Sequence, residues 1–257
     1  MKLQKLLSYV RRAVDDYSMI EEGDKIAVGI SGGKDSICLL VALKHLQRFY
    51  PKRFELEAIT VSLGLPGASY DGIQALCNEL GVHYTVVETD IGKIIFDERK
   101  EKNPCSLCAN LRRGALHAAA EELGCNKVAL GHHLDDAIET FYMNLWREGR
   151  IGCFSPVTEL SDRGLTLIRP LLLATEQEVR TAVKESGFPI VKSRCPADGV
   201  TTREDTKDFV RERCRTDRAF RQKTLHALQE SGIDGWRPLH PARTSNKEDT
   251  AHADTTL

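Results

Sequence analysis

No apolar run in the 257 residues approaches the ~20 that a membrane-spanning helix needs. The N-terminal MKLQKLLSYVRRAVDDY is amphipathic, yet it lacks the unbroken apolar core and small-residue cleavage site of a secretion signal. A membrane partner is therefore not expected, and the cytoplasm is the expected location. A large charge excess of either sign is missing too, with 36 Lys+Arg against 37 Asp+Glu, which argues against a protein that coats nucleic acid without selectivity. Without a secretion signal, the eight cysteines do not read as a disulfide framework. A second Cys-x-x-Cys is also lacking, which weighs against a closed structural zinc site with its usual four ligands. An apolar share of 41% and a charged share of 28% are those of a soluble globular chain. The length suits one α/β domain with appendages, or one domain plus a small helical one.

The most informative stretch is Ser31-Gly32-Gly33-Lys34-Asp35-Ser36. It joins an apolar run, Lys25–Ile30, to a segment from Ile37 to Phe49 whose apolar residues recur at near-helical spacing. Two glycines at such a junction let backbone N–H groups approach an anion closely, and the new helix directs its positive end at the same spot. Lys34 adds a mobile charge, and Ser31 and Ser36 add hydroxyl donors. The loop is not a Walker A sequence, because Val28 stands where that pattern needs glycine and Asp35 where it needs Ser or Thr. Nor is it the dinucleotide fingerprint, whose third glycine would fall on Asp35.

Strands and helices alternate along the chain. Expected strands lie at 25–30, 54–62, 82–88, 127–130 and 165–168, with helices near 37–49, 69–80, 104–123, 134–147, 176–186, 202–214 and 216–231 between and after them. This order predicts an α/β fold with a doubly wound, parallel, five-stranded sheet, whose ligands sit at the carboxyl ends of the strands. SGGKDS and Gly131-His132-His133-Leu134-Asp135-Asp136 both fall at strand ends. Residues 1–20 read as a packed N-terminal helix, 21–187 as the nucleotide-binding domain, 188–235 as a C-terminal helical segment, and 236–257 as a disordered tail.

Asn103 suits an N-cap and Pro104 the first helical position, which places Cys105 and Cys108 one turn apart on one face, about 5–6 Å between Cβ atoms. A helix N-terminus and the following Arg112 and Arg113 favour thiolates there. A lone pair of this kind is compatible with redox, zinc or iron–sulfur chemistry. A third thiolate would turn it into a three-cysteine iron–sulfur site, and Cys195, in a loop beside proline and flanked by Lys192 and Arg194, is the best candidate. Cys38, Cys77, Cys125, Cys153 and Cys214 read as structural. Basic residues in 1–12 (Lys2, Lys5, Arg11, Arg12) and 209–223, including Arg211, could meet a phosphate backbone.

SGGKDS resembles the PP-loop of ATP pyrophosphatases. Together with PCSLCANLRRG, LGHHLDDAIET and a late cysteine, it is similar to the TtcA family of tRNA 2-thiocytidine synthetases, over about residues 20–215. Cys195 stands in RCPADG, where better-known members carry a second cysteine pair. The resemblance implies that Ser31, Gly32, Gly33, Lys34, Asp35 and Ser36 hold the phosphates of ATP, and that Gly131 and His132 border the adenosine and α-phosphate. Lys34, Asp35, Asp135 and Asp136 become candidate catalytic residues, the last two orienting Mg2+ or the acceptor base. His133 reads as a packed histidine, and helix capping is the competing reading of Asp136. Cys105, Cys108 and Cys195 would ligate a [4Fe-4S] cluster with one iron open. Arg112, Arg113, Lys192, Arg194 and Arg211 would contact tRNA. The implied reaction adenylates a pyrimidine oxygen, C2 of cytidine 32, and replaces it with sulfur. A cysteine desulfurase or another sulfide source is the implied partner, and a homodimer is left open. Competing readings are a ligase of the lysidine or amidation kind, a scaffold without turnover, and a small-molecule sulfur enzyme.

Overall fold

The computed structural model describes residues 2–99, 104–191, 195 and 204–240. Asn103, Lys192, Arg194 and the tail from 241 onward lie outside the described residues. Its centre is a sheet of six strands: β1 (Asp24–Gly29), β2 (Phe54–Val61), β3 (His83–Val87), β4 (Lys127–Ala129), β5 (Val157–Leu160) and β6 (Leu165–Ile168). Their spatial order is β3-β2-β1-β4-β6-β5. The first five of that row are mutually parallel, and β5 pairs antiparallel with β6 at the edge.

The expected five strands are all present, and β5 makes a sixth. Val157-Thr-Glu-Leu160 pairs with β6 in register from Val157 opposite Ile168 to Leu160 opposite Leu165. A short edge strand is half-solvated, so it lacks the apolar run that marks its buried parallel neighbours. The segment after β3, expected to be loose, forms a short helix α4 (Ile91–Lys93) that widens into a π turn over Ile94–Glu98.

Both faces of the sheet are covered, as a parallel sheet requires. Ile26, Val28, Leu56, Ala58 and Ile168 join one apolar core with α1 (Lys2–Asp16), α2 (Lys34–Leu46) and α7 (Glu176–Ser186). Ala27, Ile59, Val61, Val128 and Leu167 join the other, under α5 (Pro104–Glu122). Period-2 alternation therefore sorts each strand between the two layers. The remaining helices are α3 (Asp71–Leu80), α6 (Leu134–Arg147), α8 (Glu204–Thr216) and α9 (Phe220–Ser231), the last two packed on α6. Among the described residues no helix is long and apolar enough to cross a membrane.

The C-terminal helices share the first core. Trp236, just past α9, is fully buried, and its indole N–H donates to the Phe154 carbonyl at 2.9 Å. Tyr17, at the end of α1, donates its hydroxyl to the Trp236 carbonyl at 2.9 Å and meets its ring edge-on. Trp236→Ala should therefore cost about 3–5 kcal/mol, visible as a lower urea midpoint for the whole chain. A separate early transition confined to α8 and α9 would show instead that this segment is an independent unit.

Candidate functional site

The SGGKDS loop is knitted by its own serines. The Ser36 hydroxyl donates to the Gly33 carbonyl at 2.9 Å and accepts the Ser31 N–H at 3.1 Å. Ser31 Oγ in turn accepts the Gly33 N–H at 3.3 Å. Gly32 has a φ of +82°, the left-handed region that glycine enters without strain. Gly33 is the N-cap of α2, with no side chain over the helix's first N–H groups. Free N–H donors at a helix start are a phosphate-binding arrangement.

A second loop closes on the first. A Cβ at Gly131 would lie 3.1 Å from the Asp35 carbonyl carbon and from the Ser36 nitrogen, so the chain after β4 rests on the PP-loop backbone. Two residues on, His133 caps α6: its ring nitrogen accepts the Asp136 N–H at 3.3 Å, while the Asp136 carboxylate accepts the His133 N–H at 3.0 Å. Both the packed reading of His133 and the capping reading of Asp136 describe this box. The His132 ring lies 5.0 Å from that of Phe154, which also carries the Arg169 guanidinium on its face.

Between the two loops and α5 opens a cleft of about 440 Å³, in the size range of small-molecule sites. Ser31, Asp35 and Ser36 line one side, Gly131, His132 and Asp136 another, and Arg112, Arg113 and His117 a third. Asp35 Oδ1 is buried without a hydrogen-bond partner among the described residues, and His133 Nε2 lies 3.8 Å from it. His117, which the sequence reading missed, is 4% exposed, and its Nε2 also lacks such a partner. Burial, and then Arg163 and Arg113, lower its pKa, so the ring is neutral near pH 7.

Asp135 has a different occupation. It is 4% exposed and does not line the cleft. One of its oxygens accepts the Glu176 N–H at 2.7 Å, and the other accepts Arg221 Nε at 2.6 Å. With both oxygens committed to α7 and α9, it joins helices, and the acidic residues of the two loops that line the cleft are Asp35 and Asp136. Arg221→Met would leave that carboxylate buried beside a lone backbone donor. It should destabilise the protein by about 1–3 kcal/mol, since Arg221 is itself partly exposed.

A smaller hollow adjoins the cleft, and its lining includes Ser31, Arg112, Val191 and Cys195. Val191 reaches it because its N–H donates to the Gly32 carbonyl at 3.0 Å, which seats the segment after α7 on the PP-loop. Cys108 is half-buried, and burial raises its thiol pKa; Arg112 opposes this, while Cys195 and Cys105 both add to it electrostatically. Cys105 and Cys195 thus both lie within electrostatic reach of Cys108. Among the described residues no group of three or more His, Cys, Asp or Glu is already drawn together as a metal cage. The donor set fits an iron–sulfur cluster in kind: three thiols, one of them exposed, with an arginine that favours the thiolate at Cys108. Four of the other five differ. Burial pushes Cys38 and Cys153 up to about 12 and Cys77 and Cys125 up to about 11, values of inert core thiols.

Of the expected tRNA contacts, Arg112 and Arg113 line the cleft, whereas Arg211 is exposed on α8 and pairs with Asp208 at 3.1 Å. Lys192 and Arg194 lie outside the described residues.

A PP-loop domain family matches residues 4–214. The tRNA-cytidine(32) 2-sulfurtransferase of Geobacter metallireducens is 39% identical over 230 residues, 88% of this chain and 90% of that protein. The protein of that name from Syntrophotalea carbinolica is 42% identical over 204 residues, 79% of this chain and 77% of its own. Among solved structures, the U34-tRNA thiolase NcsA from Methanococcus maripaludis with its [4Fe-4S] cluster superposes with a TM-score of 0.74 at 25% identity. That match covers 90% of this chain and 78% of the thiolase.

Proposed function

The chain belongs to the PP-loop family and, within it, to the tRNA-cytidine(32) 2-sulfurtransferases, and we propose that it replaces O2 of a tRNA cytidine with sulfur at the expense of ATP. The observation that carries this reading is the position of Arg112, which lines both the nucleotide cleft and the hollow holding Cys195 and acts on Cys108. The activation chemistry and the sulfur chemistry thus adjoin through one side chain.

A pyrimidine carbonyl oxygen is a poor leaving group. Attack of that oxygen on the α-phosphorus of ATP expels pyrophosphate and converts the oxygen to part of an AMP ester. Sulfide then attacks C2, AMP departs with the original oxygen, and the thiocarbonyl remains. The free N–H groups at the start of α2, with Lys34 and the loop hydroxyls, would hold the phosphates and offset charge that develops on them. Asp35 and Asp136 would supply oxygen ligands to Mg2+. Arg112 and Arg113 would draw the substrate phosphodiester toward the cleft, and a cytidine splayed from a single-stranded loop could enter it. Cys105, Cys108 and Cys195 would hold a [4Fe-4S] cluster, which when bound supplies an iron without a protein ligand for sulfur delivery. A cysteine desulfurase or another sulfide source would replenish the sulfur.

Mass spectrometry of tRNA nucleosides from cells with and without the protein tests the reading, and loss of 2-thiocytidine is the expected result. Asp136→Asn keeps a capping side chain but removes the charge. It should lower kcat by about 10²–10³ while KM for ATP changes little. An unchanged kcat would return Asp136 to helix capping alone.

A further inference from the structure

Lys34 stands between Ser31 and Asp35 in the sequence, yet it is absent from the lining of the cleft that Ser31, Asp35 and Ser36 border. Its ammonium lies 3.0 Å from Asp35 Oδ2 and 3.1 Å from Glu176 Oε1, the first residue of α7. Both ends of the Lys34–Glu176 pair are about three-quarters buried, which limits screening by water. An ammonium has three donors and no acceptor. Two of the three here are taken by carboxylates, and one of those carboxylates is foreign to the loop.

Glu176 is itself fixed in place. Its backbone N–H is held by Asp135, which Arg221 of α9 clamps from the other side. Its carboxylate also accepts from Arg180 at 3.0 Å. The neighbouring Thr175–Glu178 capping box sets the first turn of α7. Glu176 therefore projects from a rigid helix start and not from a mobile loop.

We propose that Glu176 is a positioning residue for Lys34: it parks the ammonium outside the cleft, and the phosphates of ATP must take it from the carboxylate. This rests on the reading of SGGKDS as the ATP loop, and it adds a residue from α7 that sets how tightly nucleotide binds. Burial would raise the Glu176 carboxyl, but Lys34 and then Arg180 override it and hold it down at about 2. The competitor therefore carries its charge throughout the working pH range.

The test is equilibrium binding of magnesium pyrophosphate and of ATP to the full chain in four forms: unsubstituted, Glu176→Gln, Lys34→Ala, and the double variant. Glutamine keeps the shape, the N–H bond to Asp135 and the capping box. Glu176→Gln should bind both ligands about three- to tenfold more tightly. The gain should vanish in the Lys34→Ala background, and Glu176→Asp should return affinity toward that of the unsubstituted protein. Equal or weaker binding by Glu176→Gln, or the same gain without Lys34, overturns the proposal. Pyrophosphate binding requires neither tRNA nor sulfur. A protein that shows the coupling but does not thiolate tRNA would refute the function alone, and one that thiolates without the coupling would refute the parking role alone.

Discussion

Cys108→Ala is expected to abolish thiolation of tRNA while ATP affinity stays within about twofold of the unsubstituted enzyme. Cys108 is the member of the trio that both other cysteines act on, and Arg112 is the group that favours its thiolate. Alanine removes the ligand without adding bulk, and it touches neither the Ser31–Ser36 hydrogen bonds nor the start of α2. Iron and acid-labile sulfide, measured after anaerobic purification, should fall with activity. Cys105→Ala and Cys195→Ala should behave alike, because the proposed ligand set consists of these three thiolates. Cys38→Ala supplies the contrast: that buried thiol lies in the apolar core, and its loss should lower stability and leave iron content unchanged. Full thiolation by Cys108→Ala, with full iron, would remove Cys108 from the ligand set.

Local signals were legible and long-range ones were not. β1 and β4 are buried on both faces, so they read as short apolar runs, and the motifs at their ends followed from the topology of parallel sheets. The edge strand β5 escaped because its four residues are half-solvated. At the site, SGGKDS and GHHLDD are contiguous, so their chemistry could be read from spacing alone. Asp135 could not be separated from Asp136 in this way. What distinguishes them is a pair of contacts 41 and 86 residues away, to Glu176 and Arg221, which only the fold brings together. Adjacent helical positions point about 100° apart, so one carboxylate faces the cleft and the other faces α7 and α9. Thr175 and Glu178 have the spacing of a capping box and mark where α7 starts. That spacing is silent on what Glu176 reaches. His117 had no signal either: a histidine on a helix between apolar residues reads as core until the cleft beside it is seen.

Gly32→Ala should disable both halves of the site through one methyl group. At a φ of +82° any side chain is strained, a cost of about 1–2 kcal/mol. The added carbon would also lie 2.9 Å from Val191 Cβ. Val191 cannot simply withdraw, because its N–H is bonded to the Gly32 carbonyl and the two backbones move together. Relief must come either from the loop, which would misdirect the N–H groups at the start of α2, or from the 188–191 segment, four residues short of Cys195. In the first case ATP affinity falls; in the second iron content falls. Because the two segments are hydrogen-bonded at this point, both should fall together, with ATP bound at least about tenfold more weakly. Gly81→Ala is the control: Gly81 also has a positive φ, but a Cβ there meets nothing within 4 Å. It should cost stability alone and spare both ATP and iron. If Gly32→Ala weakened ATP binding with full iron retained, the Val191 contact would not be what holds Cys195 at the loop, and the proposed link between nucleotide and thiolates would have to run through Arg112 alone.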